Sequence, residues 1–165
     1  MPQTVNHHGP MYIRLGRGGD PVVSLRKKKT IGQVDVMRSV ESDVVFISTG
    51  TATQCAVNAS IFLRSMGMDS SVIHCPTLKP LGADALRPWL RPLTITVEDH
   101  SIIGGLGSVV AEQMAESGYP GRLRRFGYPD VFPHGYGTQD ELRARYGLTA
   151  DAIVAAVKKD TWAAA

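Results

Sequence analysis

From Asp43 to Ser48 the chain reads "DVVFIS", a near-continuous apolar run bounded by polar residues. A run of this length and composition has the signature of a strand buried on both faces, as in parallel sheets covered by helices above and below. Thr49-Gly50-Thr51 then turns the chain, and Ala52, Cys55, Ala56, Ala59, Leu63 and Met66 follow at three- and four-residue spacing. That spacing predicts one apolar helix stripe, closed by Gly67.

The same alternation continues. "SSVIHC" reads as a strand, Ala83 to Leu90 as a short helix beyond the prolines at 76 and 80, and "LTITVE" as another strand. A helix is expected from about Gly105 to Ser117, then a weaker strand in "GRLRRFGY". Beyond a Pro- and Gly-rich loop, "TQDELRARYG" and "TADAIVAAVKK" each begin on a threonine cap, the second with Asp151 in its first turn. Strand and helix in turn imply a three-layer α/β domain around a mostly parallel sheet with right-handed crossovers. "QVDVMR" alternates and is expected at an edge.

Ahead of this lies "MYIRL", Met11 to Leu15, read as a strand, followed by the turn-forming "GRGGDP" and a basic linker. The boundary falls near residues 18–32, which leaves a main domain of about 130 residues. The 165 residues carry 18 Lys and Arg against 15 Asp and Glu, and a net +3 is too weak a balance to argue for nucleic acid. The runs "RKKK" at Arg26 to Lys29 and "RLRR" at Arg122 to Arg125 read as solvated loop or strand-edge charge.

Cys55 and Cys75 have neither zinc-ligand spacing nor a disulfide framework around them, so reduced thiols are expected. The start of the chain lacks a signal-peptide pattern, and no stretch has the length to cross a bilayer. A soluble, cytoplasmic protein is the expectation.

The chemistry-bearing stretch is "VEDHSIIGGLGSVV", Val97 to Val110. Gly105-x-Gly107 opens a helix after a strand, as a dinucleotide fingerprint does, but Val110 stands where the third glycine belongs. The turn can still offer free backbone N–H groups to an anion. Glu98, Asp99 and His100 lie where open α/β sheets place ligands, and acid/base work is conceivable there. The favoured alternative has Asp99 or Ser101 capping the helix and Glu98 in an ion pair, because no nucleophile or metal ligand stands nearby in sequence. His74 reads as a satisfied core histidine and His134, in "FPHGYG", as exposed or at a contact surface. Arg17 in "RLGRGG" sits among glycines that permit close approach, so its guanidinium could fork onto a phosphate or carboxylate. Arg14, on another face of the predicted strand, is the weaker candidate.

Taken together, "GPMYIRLGRG", "STGT", "HCPTLKPLG", "TVEDHSIIGGLGSVVAE" and "FGYPDVFPHGYGTQDELRARYGLTADAIVAA" resemble, in order and spacing, the C-terminal part of transketolases. They look most like the C-terminal halves of split transketolases. The resemblance implies a three-layer α/β/α domain with a five-stranded, mostly parallel sheet and one antiparallel strand, supplied by "QVDVMR". It divides the chain into residues 1–20, an arm like the last strand of the pyrimidine-binding domain, a linker at 21–31, and the C-terminal domain at 32–165.

The implied function is that of a component, inactive alone, of an enzyme moving a two-carbon ketol unit between sugar phosphates. Thiamine diphosphate and a divalent metal, Mg, would be bound by partner subunits, because the diphosphate module's Gly-Asp-Gly stretch and the pyrimidine module's glutamate have no counterpart here. The resemblance places Arg17 at the substrate phosphate and turns the 98–100 region towards subunit contacts. Glu98, Asp99, His100 and His134 become interface candidates. Most of the pyrimidine module is missing, which suggests either a truncated product or a division inside that module, with the arm adding a strand to a partner's sheet. A different class stays open, a non-catalytic scaffold or regulatory module whose glycine turn holds a small anion. So does the equivalent domain of a 1-deoxyxylulose-phosphate synthase or a dehydrogenase decarboxylase.

Overall fold

The computed structural model describes residues 2–16, 20–24 and 30–162. Its centre is β2 (Val44–Ser48), buried at every position. β3 (Ser71–His74) and β4 (Leu93–Ser101) run parallel to it on either side, with Val45 opposite Ser71 and Val44 opposite Leu93. β5 (Arg122–Tyr128) extends the sheet in parallel beyond β4. β1 (Asp35–Arg38) closes the other edge, antiparallel to β3, so the order is β1-β3-β2-β4-β5. The expected five strands and the odd antiparallel one are all present.

Alternation along β2 explains the layers. Val44 and Phe46 face α1 (Thr53–Ser65) and α5 (Ala150–Trp162), where Ala56, Ala59, Leu63, Ile153, Val154 and Val157 complete one core. Val45 and Ile47 face α2 (Ala83–Leu86) and α3 (Leu106–Glu116), with Leu86, Leu106, Val110 and Met114 forming the other. A strand apolar on both sides is thus satisfied from both sides. α4 (Gln139–Arg145) starts on a capping box, the Thr138 hydroxyl accepting from the Glu141 N–H while Glu141 accepts from the Thr138 N–H.

Three expectations need correction. Residues 11–15 form no strand in this chain: Tyr12 and Leu15 are exposed, and among the described residues no strand lies alongside. An alternating segment without a neighbouring edge has nowhere to place its backbone hydrogen bonds as a strand. The 83–90 helix breaks into α2 and a 3-10 turn at Arg87–Trp89, since Pro88 has no N–H to continue the α ladder. Met66, assigned to the buried stripe, is 52% exposed. It caps α1, where the chain turns away through Gly67 (φ +81°) and the Met68 N–H returns to the Leu63 carbonyl at 3.0 Å.

Candidate functional site

The connection from β2 runs through α1 to β3, and that from β4 runs through α3 to β5, on the opposite side. The gap between the carboxyl ends of β2 and β4 is therefore the topological switch point, the usual ligand crevice of an open α/β sheet. Here the chain fills that crevice itself. Arg143, on α4, places Nη2 2.6 Å from Thr51 Oγ1 and 2.8 Å from Asp99 Oδ2. Thr51 donates to the same carboxylate oxygen at 3.3 Å, and Gln139 donates to it as well. Arg143 and Asp99 retain only 10% and 11% of their side-chain exposure, a nearly buried pair from which removing one partner would strand the other's charge.

Tyr128, at the end of β5, joins from below. Burial pushes its phenol well above the ordinary tyrosine range, and a hydrogen bond to Asp99 adds to the effect. Its ring packs edge-on against Tyr146, with centroids 5.4 Å apart.

Glu98 and Asp99 exchange the roles expected of them. Glu98 is fully buried and caps α3: Oε2 accepts the Leu106 N–H at 2.7 Å and Oε1 the Gly107 N–H at 2.9 Å. Asp99 makes the ion pair. Two of the free amides that could have cradled an anion at the glycine turn are thus taken by the chain's own carboxylate, which also answers the positive end of the helix dipole. The turn does not fit a cofactor diphosphate. Buried as it is, Glu98 presents no side-chain surface to a partner, contrary to its placing among the interface candidates. Ser101 takes no part in the cap; its hydroxyl accepts from the Ile103 N–H at 3.2 Å.

A break in the β4–β5 register produces this division of labour. Val97 pairs with Phe126 and Ser101 with Tyr128, so residues 98–100 bulge opposite Gly127 alone. A Cβ on Gly127 would lie 2.9 Å from the His100 carbonyl oxygen and 3.1 Å from Glu98 Cγ. Only the absent side chain lets the bulge sit there. The bulge buries Glu98, leaves Asp99 part-exposed at the crevice, and exposes His100.

The remaining candidates do not converge. His134 is exposed, and its carbonyl accepts from Arg145. His74 is buried, its Nδ1 2.8 Å from Thr53 Oγ1, which in turn receives the Ser48 hydroxyl at 3.0 Å. Arg17 and the basic run at 26–29 lie outside the described residues. Arg14 is described: its Nη1 donates to the Asp99 carbonyl at 2.9 Å. In the second basic run, Arg124 forks onto Asp160 with both contacts at 2.6 Å, Arg122 reaches the Asp160 carbonyl, and Arg125 reaches that of Ile102. These arginines tie the edge strand to α5 and to the glycine turn. Burial pushes the Cys75 thiol up to about 12 and raises that of Cys55, so neither is an activated nucleophile.

Arg143, Thr51 and Gln139 were not foreseen. In "TQDELRAR" the leucine looks like the inward residue, yet Arg143 is the buried one and Leu142 only half-buried. The single usable signal was Thr51 directly after the buried strand, at a switch point that an aspartate also reaches. Among the described residues no cluster of His, Cys, Asp or Glu suits a metal ion, and no helix is long and apolar enough to cross a membrane.

Fold and site together define an open three-layer α/β domain whose ligand crevice is closed by its own side chains. Residues 32–153 match the family model described as the transketolase C-terminal domain. An apulose-4-phosphate transketolase subunit of Actinobacillus succinogenes is 33% identical over 91% of this chain and 49% of its own length. A 6-deoxy-6-sulfo-D-fructose transketolase subunit of a Clostridium species is 36% identical over 97% of this chain and 50% of its own. A split-gene transketolase solved as an inactive beta4 tetramer superposes with a TM-score of 0.86 at 37% identity, over 96% of this chain and 52% of that one. The chain belongs to the transketolase C-terminal domain family. It spans about half the length of some curated relatives it matches and about a quarter of others.

Proposed function

We propose that this chain is the C-terminal component of a split transketolase, inactive alone, which assembles with cofactor-bearing subunits in the cytoplasm. The assembled enzyme moves a two-carbon ketol unit between sugar phosphates. The observation that carries this reading is a match over 96% of the chain, at 37% identity, to a split-gene transketolase chain. Internal closure of the switch point supports it further: the Asp99–Arg143 pair and the Glu98 cap occupy the two places where this fold would hold a ligand of its own. Thiamine diphosphate and Mg are assigned to the partner subunits.

Within the assembly Arg17 is proposed to grip the substrate phosphate, because a planar guanidinium matches a phosphate dianion through two parallel hydrogen bonds. Asp99, His100 and His134 are proposed to lie at or near subunit contacts. Co-expression with polypeptides carrying the diphosphate and pyrimidine modules tests the reading. Co-elution as one assembly is expected, with Arg17→Ala raising KM for phosphorylated sugars while leaving assembly intact. A chain that elutes alone in their presence would instead be the non-catalytic module.

A further inference from the structure

We infer that the Asp99–Arg143 pair is a positioning device for the N-terminal arm, and through it for the substrate-phosphate end of the assembled enzyme. The inference rests on the reading of Arg17 as the phosphate grip. Three observations meet at Asp99. The 98–100 bulge lifts this residue out of the β4–β5 ladder, so its carbonyl points to the arm instead of to a strand neighbour and accepts Arg14 Nη1 at 2.9 Å. Its carboxylate is held by Arg143, Thr51 and Gln139, from two separate segments. Arg143 in turn is nearly buried and fastened at 2.6 Å to Thr51, in the turn that follows β2.

Near its start the arm is tied by Gln3, whose side-chain oxygen accepts the Ile31 N–H at 2.9 Å. Around Arg14 it is open to solvent, with Tyr12 89% and Leu15 70% exposed. An exposed hydrogen bond is useful only if its acceptor is rigid, because otherwise the acceptor's freedom is lost together with the donor's. Arg143 is 44 residues from Asp99 and, among the described residues, reaches the arm through it: by immobilising the carboxylate it immobilises the carbonyl of the same residue. Arg17 follows Arg14 by three residues in sequence. Asp99 and Arg143 are therefore positioning residues, not catalytic ones.

The test uses Arg14→Met, a surface change that leaves the core intact, Arg143→Met, and the double variant. In the reconstituted enzyme each single variant should raise KM for ribose 5-phosphate on the order of fivefold, about the worth of one hydrogen bond. The kcat, and the KM for unphosphorylated ribose, should stay within a factor of about two. The double variant should do no worse than either single one, since both cut the same linkage. Multiplying effects would overturn the inference, for Arg14 would then touch the phosphate on its own account; so would an Arg143→Met enzyme with unchanged KM.

A second readout needs no activity. In the isolated chain, chymotrypsin cleavage after Tyr12 should accelerate on the order of fivefold in both single variants, the loss of protection expected from one hydrogen bond. Unchanged cleavage in Arg143→Met would overturn the inference whatever the enzyme does. Accelerated cleavage together with no ketol transfer in any reconstitution would uphold the anchoring of the arm and sink the functional reading instead.

Discussion

Glu98 and Gly105 keep their places only because Gly105 has no side chain: a Cβ there would lie 1.9 Å from Glu98 Oε2 and 2.9 Å from the Ser101 carbonyl. The acidic residue and the glycine behind it are one device, a carboxylate seated on the first amides of α3.

Gly105→Ala should therefore displace the cap. Glu98→Ala, which leaves two buried amides without an acceptor, should cost about 3 kcal/mol, and Glu98→Gln, which keeps one acceptor, roughly half of that. Urea denaturation of the three variants measures this. Equal stability of Glu98→Ala and the parent would show that water or another group serves the amides as well.

Arg143→Met should cost about 3 kcal/mol by leaving the Asp99 carboxylate unpaired in a nearly dry crevice. Combining it with Asp99→Asn should recover part of that loss, because the stranded charge is then gone. A double-mutant cycle read by thermal melting gives the coupling, and strict additivity would mean the two side chains act independently.

Asp160 sets an acid dependence. The Arg124 fork holds its carboxyl below the usual carboxylate range, so its stabilisation is present above the unfolded-state value and lost as pH falls through the lowered folded one. Arg124 is half exposed, which limits the pair to about 1 kcal/mol. Stability measured from neutral pH down to about pH 3 should fall less steeply in Asp160→Asn than in the parent.

The two thiols should differ in reactivity. Cys75 is fully buried with its thiol pushed up to about 12, whereas Cys55 is half-buried with a smaller obstacle. With maleimide at about pH 8, only about one in ten thousand Cys75 side chains is thiolate at any moment. Cys55 should label first and Cys75 only on unfolding; simultaneous labelling of the native protein would contradict the packing of the β3 end.

The fold was legible wherever burial writes a period into the sequence. The run at 43–48, the stripe at 52–63 and the threonines at 138 and 149 each carry a local signal, and each stands where it was expected. Residues 11–15 are not a strand in this chain alone, because alternation announces a strand without saying which edge receives it. At the glycine turn sequence proximity pointed to the right neighbourhood and to the wrong partners. Glu98 and Asp99 are adjacent, and which of them faces the helix depends on a bulge that Gly127, far along the chain, makes room for. Arg143 escaped notice for a related reason: a buried arginine looks like any other surface arginine until its aspartate is seen in space.

The central claim is that this chain is a necessary, cofactor-free part of a ketol-transferring enzyme. Transfer from a ketose phosphate to ribose 5-phosphate, measured for this chain alone, for the subunits bearing the diphosphate and pyrimidine modules alone, and for the mixture, tests it most directly. Activity is expected only in the mixture, titrating to a fixed ratio of the components. Full activity of those subunits without this chain, or turnover by this chain alone, would contradict it.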